Sequence, residues 1–147
     1  MENQSDLRTS SGQTTFRSRS ISGRIVGAKN KYSLLERQSA FFTGSKPLAF
    51  VYNGEEYEVD SWHNLVLQVC LAVYQQHLQA FVACAKNCRA SRVSCIESDN
   101  MTKIGDGVYV RCGGSAWDKC QTIRCVLQQC HAGDVQICFN EEIEEDD

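Results

Sequence analysis

Residues 48–59 of this chain read LAFVYNGEEYEV and predict a β-hairpin. An apolar run of strand-forming residues leads into Asn53-Gly54, the strongest short-range hairpin signal, because both residues tolerate a positive φ. After the turn, Tyr57 and Val59 alternate with glutamates, as in a strand with one buried face. The hairpin therefore predicts that the folded region begins with a small antiparallel sheet.

A helical repeat of apolar residues follows the hairpin, from Trp62 to about Ala85. Either Asp60 or Ser61 is expected to cap its first turn. No proline or glycine interrupts the repeat, and its wide apolar face indicates one long core helix packed on the sheet. Cys70 falls on or beside that buried face.

The second half of the chain predicts two more strands and one more helix. Residues 108–110 form a strand after a glycine turn, and residues 135–139 form the last strand. Between them, Ser115 is a suitable N-cap for a helix over 116–130. Residues 86–102 are polar and irregular. The order β-β-α-β-α-β predicts an α+β fold with helices packed on a small, mostly antiparallel sheet.

Charge divides the chain into three parts. Residues 1–47 contain eight Lys or Arg against three Asp or Glu, and their first thirty residues are rich in Ser, Thr, Gly, Gln and Asn. Such a segment buries too little apolar surface to offset its ordering entropy, so we expect a basic, largely disordered arm with a short helix over 32–42. Residues 48–140 form the α+β domain, and residues 141–147, with six acids, form an acidic tail.

The first residues show no apolar segment of the kind that directs secretion, and no apolar run is long enough to span a membrane. We therefore expect a cytoplasmic protein whose nine cysteines stay reduced. No C-x-x-C pair occurs. Several thiols are interpreted as small buried hydrophobic residues, namely Cys70, Cys120, Cys130 and Cys138.

A zinc site is the alternative interpretation for other thiols. Cys84 and Cys88 are four residues apart on a predicted helix, and His77 lies one heptad before Cys84. With Cys95 these residues could form a zinc site, although no cofactor is expected. The sequence contains no nucleophile elbow and no phosphate-cradling loop, which favours a non-enzymatic function.

Three stretches carry a resemblance to a known family. They are FVYNGEEYEVDSWHNLVLQVCLAVYQQHLQAF at 50–81, KIGDGVYVRCGGSA at 103–116 and VQICF at 135–139. Over residues 48–140 the chain resembles an uncharacterised small domain at the C-termini of bacterial restriction-type and other phage-defence proteins. That domain has no catalytic signature. The resemblance implies a recognition or docking module in defence against foreign DNA.

Six residues would carry that recognition if the resemblance holds, as contacts to nucleic acid or to a protein: Lys103, Tyr109, Arg111, Ser115, Trp117 and Lys119. Ser115 and the backbone N–H groups at the helix start could hold a phosphate. Arg111 and Lys119 could add positive charge, and Trp117 could stack on a base.

The arm offers a second set of phosphate contacts, although a solvated linker explains the same basic residues. The set comprises Arg17, Arg19, Arg24, Lys29 and Lys31. Two other functions stay open. One is a protein–protein module or inhibitor that docks on a nuclease or effector complex, and the other is a cysteine-rich metal-binding or thiol protein. No membrane partner is expected.

Overall fold

Two small antiparallel sheets and three α-helices make up the computed structural model, which describes residues 30–87 and 92–143. In chain order the elements are β1 (Lys31–Ser33), a 3-10 helix (Ser39–Phe42), β2 (Pro47–Tyr52), β3 (Glu55–Glu58), α1 (Trp62–Gln76), α2 (Leu78–Asn87), β4 (Val93–Ser94), β5 (Thr102–Gly105), β6 (Val108–Val110), α3 (Ala116–Gln129) and β7 (Gln136–Phe139). The strand orders are β1-β7-β2-β3 and β4-β6-β5. The predicted α+β fold with helices on a small antiparallel sheet is confirmed.

The predicted hairpin forms β2 and β3. Asn53 and Gly54 have φ values of 52° and 79°, so the turn uses the left-handed backbone that these two residues tolerate. Phe50 pairs with Tyr57 across the strands, and their rings stack with centroids 4.7 Å apart. The hairpin is thus fixed both by its turn and by an aromatic pair on the buried face.

The core lies between the four-stranded sheet and helices α1 and α3. Phe50, Tyr52 and Phe139 point from the sheet into this core, where they meet the fully buried Leu65 and Ile123 of the two helices. Burial of large aromatic side chains is the main source of stability in a domain of this size.

The prediction of one continuous helix from Trp62 to about Ala85 is wrong, because the chain forms two helices, α1 and α2, with a bend of 115° between them. His77 takes a non-helical φ of −133°, yet its N–H donates to the Val73 carbonyl at 2.7 Å and its carbonyl accepts from the Phe81 N–H at 2.9 Å. The backbone therefore stays satisfied through the bend. Helix α1 contacts β2 and α3, whereas α2 contacts β4 and β6, so each helix covers a different sheet.

No single helix within residues 30–87 and 92–143 is long and apolar enough to cross a membrane. Only α1 and α2 taken together pass that test, and the bend separates them.

The helix predicted over 32–42 does not form. Residues 31–33 instead pair with residues 136–138 of β7, and only Ser39–Phe42 is helical, as a 3-10 turn. Leu34 and Phe42 are completely buried. The folded domain therefore begins before the boundary predicted at residue 48, because a strand partner a hundred residues away decides the local conformation.

The three-stranded sheet lies partly in the segment 86–102, which was predicted to be irregular. Val93 of β4 and Thr102 of β5 both pair with Val110 of the central strand β6. Val93, Val108 and Val110 are buried. The strands are too short and too polar for a period-two pattern to reveal them from sequence.

Candidate functional site

The three-stranded sheet has one covered face and one open face. Its valines point inward, and strand alternation sends their neighbours outward. Ser94, Tyr109 and Lys103 lie side by side in one row across the sheet, and Arg111 follows two residues after Tyr109 on the same side. We call this surface, formed by Ser94, Lys103, Tyr109 and Arg111, the tyrosine face.

The tyrosine face brings together three of the six predicted contact residues. Lys103 is exposed, and Tyr109 and Arg111 are half-buried. The Arg111 N–H donates to the carbonyl of Arg92 at 2.9 Å, which extends the strand pairing beyond the end of β6 and fixes the backbone of Arg111. Tyr109 therefore has Lys103 as its neighbour on the adjacent strand and Arg111 two residues further along its own strand.

The start of α3 is capped by the chain itself. The Ser115 hydroxyl accepts from the Asp118 N–H at 3.2 Å, while the Ser115 N–H and hydroxyl both donate to the Asp118 carboxylate, at 3.0 and 2.9 Å. These hydrogen bonds from Ser115, together with the nearby Arg92 guanidinium, lower the pKa of Asp118. A carboxylate thus occupies the position at which a phosphate was predicted to bind.

Arg92 joins the three-stranded sheet to α3. Its guanidinium donates to the Asp118 carbonyl at 3.0 Å and to the Thr122 hydroxyl at 3.2 Å, and lies 3.6 Å from the Asp118 carboxylate. Sequence reasoning did not select this residue. No sequence pattern could have identified it, because β4, which begins at the next residue, is only two residues long.

Lys119 and Trp117 lie on the first turn of α3 but face different surroundings. The Lys119 ammonium donates to the Gly114 carbonyl, so the side chain folds over the loop that follows β6. Trp117 is 45% exposed. Its indole lines a cleft of about 370 Å³ between α3 and residues 35–39.

The cleft beside Trp117 contains two arginines that already have structural contacts. Arg124 donates through Nε to the Ser39 hydroxyl at 3.2 Å and through its terminal nitrogen to the Arg37 carbonyl. The Arg37 guanidinium lies 4.4 Å from the centre of the Phe41 ring. Arg124 therefore ties the 3-10 segment to α3, a role that sequence reasoning missed.

The residues proposed for zinc do not come together in the part of the chain that the structure describes. Within residues 30–87 and 92–143, no three His, Cys, Asp or Glu side chains are placed to hold a metal. Cys84 is buried, Cys95 is exposed, and His77 lies in the bend rather than on a continuous helix face. Cys88 lies outside the described residues.

Four thiols are buried as predicted, namely Cys70, Cys120, Cys130 and Cys138. Burial raises the pKa of Cys120 to about 12, and the pKa values of Cys130 and Cys138 to about 11. A thiol with so high a pKa is protonated and unreactive near neutral pH.

The predicted arm contacts are separated from the tyrosine face where they can be located. Arg17, Arg19, Arg24 and Lys29 lie outside the described residues. Lys31 is in β1 and pairs with Cys138, so it belongs to the other sheet.

Most of the candidate site is therefore concentrated at the tyrosine face and the first turn of α3. Comparison with known proteins finds no matching family model, no similar curated protein and no similar solved structure.

Proposed function

We propose that the domain is a non-enzymatic module that binds single-stranded nucleic acid at the tyrosine face. The observation that supports this most directly is the row Ser94–Tyr109–Lys103 with Arg111 beside it. An aromatic ring offers a stacking surface for any base, and the flanking cations attract the phosphates on either side. The association with phage defence rests on the resemblance over residues 48–140.

A single strand suits this surface better than a duplex does. The face is three short strands wide, and its aromatic residue can stack only on a base that is not already stacked within a helix. The 45% exposed Trp117 provides a second aromatic group at the start of α3. Lys119, whose ammonium donates to the Gly114 carbonyl, supplies positive charge at the loop that joins β6 to α3.

The helix start supports this binding in an indirect way. The Asp118 carboxylate is bound to Ser115 and would repel a phosphate placed at the same N–H groups. The capping box instead holds the loop 111–115 in place, with Gly114 at φ 93° where a Cβ would collide with Asp118. In this proposal Ser115 is a positioning residue, and Arg111 and Lys119 make the contacts.

Fluorescence anisotropy with a labelled single strand of mixed sequence tests the proposal. The full-length chain is compared with Arg111→Ala and with Lys86→Ala, which removes an exposed charge from α2 on the other side of the small sheet. Arg111→Ala is expected to weaken binding by about tenfold. It should also reduce the salt slope, the steepness with which the logarithm of the association constant falls with the logarithm of salt concentration, by about 0.7, the value for one phosphate contact in a single strand. Lys86→Ala should leave both unchanged.

A second pair of variants separates stacking from charge. Tyr109→Phe keeps the ring and should bind as the parent chain does, whereas Tyr109→Leu should weaken binding by about tenfold, or about 1.4 kcal/mol, with an unchanged salt slope. If Arg111→Ala and Tyr109→Leu bound the single strand as tightly as Lys86→Ala and Tyr109→Phe do, the proposal would be contradicted. Tighter binding to duplex than to single strand would also contradict it.

A protein-docking function is the second candidate, and the cleft beside Trp117 favours it. Exposed tryptophan and arginine side chains are the residues that most often dominate protein interfaces. Leu35 adds an apolar wall to this cleft. Trp117→Ala would then abolish binding to a protein partner in the presence of nuclease, while Arg111→Ala would not affect it.

A further inference from the structure

The two parts of the proposed binding surface lie on separate elements. Arg111 follows the central strand of the small sheet, whereas Trp117 and Lys119 lie on the first turn of α3. Helix α3 packs on α1, α2 and the 3-10 segment, and the strands β4 and β6 of the small sheet pack on α2. The small sheet and α3 are therefore connected through the core mainly by way of α2.

The loop that joins these two parts is poor in side chains. It contains Gly113 and Gly114, which are both exposed. Nothing lies within 4 Å of the position that a Cβ would take at Gly113. Glycine loses more conformational freedom on ordering than any other residue, so a loop of this kind needs contacts at its ends to keep one conformation.

Arg92 makes contacts at both ends of this loop. Its carbonyl accepts from the Arg111 N–H at 2.9 Å, where the loop begins. Its guanidinium donates to the Asp118 carbonyl at 3.0 Å and to the Thr122 hydroxyl at 3.2 Å, just beyond the point where the loop ends. The Asp118 carboxylate, which is bound to Ser115, lies 3.6 Å from the same guanidinium. One residue thus ties the end of the strand to the start of the helix.

We propose that Arg92 is a positioning residue, which holds Arg111 and Lys119 at one separation so that both contact the same single strand. This role rests on the nucleic-acid binding proposed above. Its physical basis is preorganisation, because a surface whose charges are already in place loses less conformational entropy when a ligand binds. Arg92 itself makes no contact with the strand, since its guanidinium is bound to α3 and its side chain is only 16% exposed.

The geometry of this link requires an arginine. A planar guanidinium reaches a carbonyl, a hydroxyl and a carboxylate together, whereas the ammonium of lysine is a point charge on a flexible stem. Arg92→Lys therefore keeps the positive charge and removes the link. The hydroxyl that accepts from Arg92 belongs to Thr122, which is completely buried. Thr122→Val removes this one acceptor and keeps the branched shape of the side chain.

Binding of a labelled single strand by the full-length chain tests the role of Arg92. Arg92→Lys is expected to weaken binding by about fivefold with an unchanged salt slope, because the charges that contact phosphate are retained. Arg124→Lys is the matched control. Its guanidinium also donates to a hydroxyl and a backbone carbonyl, but these belong to Ser39 and Arg37, away from the loop 111–115. The control should bind as the parent chain does.

A double-mutant cycle with Lys119→Ala separates positioning from a general loss of stability. If Arg92 acts by placing Lys119, Arg92→Lys should weaken binding by less than about twofold in a chain that already lacks the Lys119 ammonium. A general loss of stability would weaken binding equally in both backgrounds, so equal effects overturn the proposal. Normal binding by Arg92→Lys also overturns it. If Arg92→Lys does not fold, Thr122→Val takes its place in the cycle, with an expected loss of about threefold.

Hydrogen exchange of the free chain keeps this role distinct from the proposed function. The Arg111 N–H donates to the Arg92 carbonyl, and the Lys119 N–H donates to the Ser115 carbonyl at 3.0 Å. Both amides should exchange about fivefold faster in Arg92→Lys than in the parent chain. If neither rate changes, Arg92 does not hold the loop, and its role is overturned even where the parent chain binds. If the parent chain binds no single strand, the proposed function fails and the role of Arg92 falls with it.

Discussion

The two sheets of this domain bury very different amounts of apolar surface. The four-stranded sheet carries Phe50, Tyr57 and Phe139 into a core that α1 and α3 cover, whereas the three-stranded sheet buries small valines such as Val93 beneath α2. The opposite face of the small sheet contains Tyr109, with Lys103 beside it on β5 and Arg111 two residues along the chain. The larger aromatic side chains of the core thus come from the four-stranded sheet, whereas the proposed binding surface lies on the three-stranded sheet.

The largest expected effect is on the four-stranded sheet. Phe50→Ala removes a completely buried ring that stacks on Tyr57, and should lower the free energy of unfolding by about 3–5 kcal/mol. Val93→Ala in the small sheet should lower it by about 2 kcal/mol, because less apolar surface is lost. Urea unfolding followed by circular dichroism measures both values. Equal losses would show that the two sheets do not differ in this way.

A smaller effect is expected where α1 meets the three-stranded sheet. A Cβ at Gly105 would overlap the ring and hydroxyl of Tyr74, so Gly105→Ala should cost about 1–3 kcal/mol. Gly113→Ala is the matched control, since it has open space around it and should be nearly neutral. Combining Gly105→Ala with Tyr74→Leu should recover part of the loss. A neutral Gly105→Ala would mean that the small sheet can move away from α1.

The smallest effect concerns the cap of α3 and appears as a pH dependence. Because the pKa of Asp118 is lowered in the folded state, its carboxylate stabilises the fold above the ordinary value of 3.8, and this contribution is lost as the pH falls through the folded pKa. Asp118→Asn should therefore be less stable than the parent chain near neutral pH and equal to it in strong acid. Urea unfolding across this pH range, with the exposed Asp99→Asn as control, measures the difference. If the difference in free energy of unfolding between Asp118→Asn and the parent chain did not change with pH, the stabilising role of the Asp118 carboxylate would be contradicted.

Part of the candidate site could be predicted from sequence because neighbouring residues create it. Ser115 and Asp118 are three positions apart, so their mutual capping is a local property. Tyr109 and Arg111 are two positions apart in a strand, which places them on one face. Arg92 could not be connected to Asp118 in this way, because their contact requires β4 to pair with β6 and α3 to pack beside both strands.

The sequence by itself determined the hairpin turn at Asn53-Gly54, the capped starts of α1 and α3, and the burial of cysteines such as Cys70. Each of these depends on the backbone preference or polarity of adjacent residues. Only the tertiary structure decided the bend at His77 and the pairing of residues 31–33 with β7. Those features exist because two sheets need separate cover and because a strand requires a partner, and the partner here is about a hundred residues away.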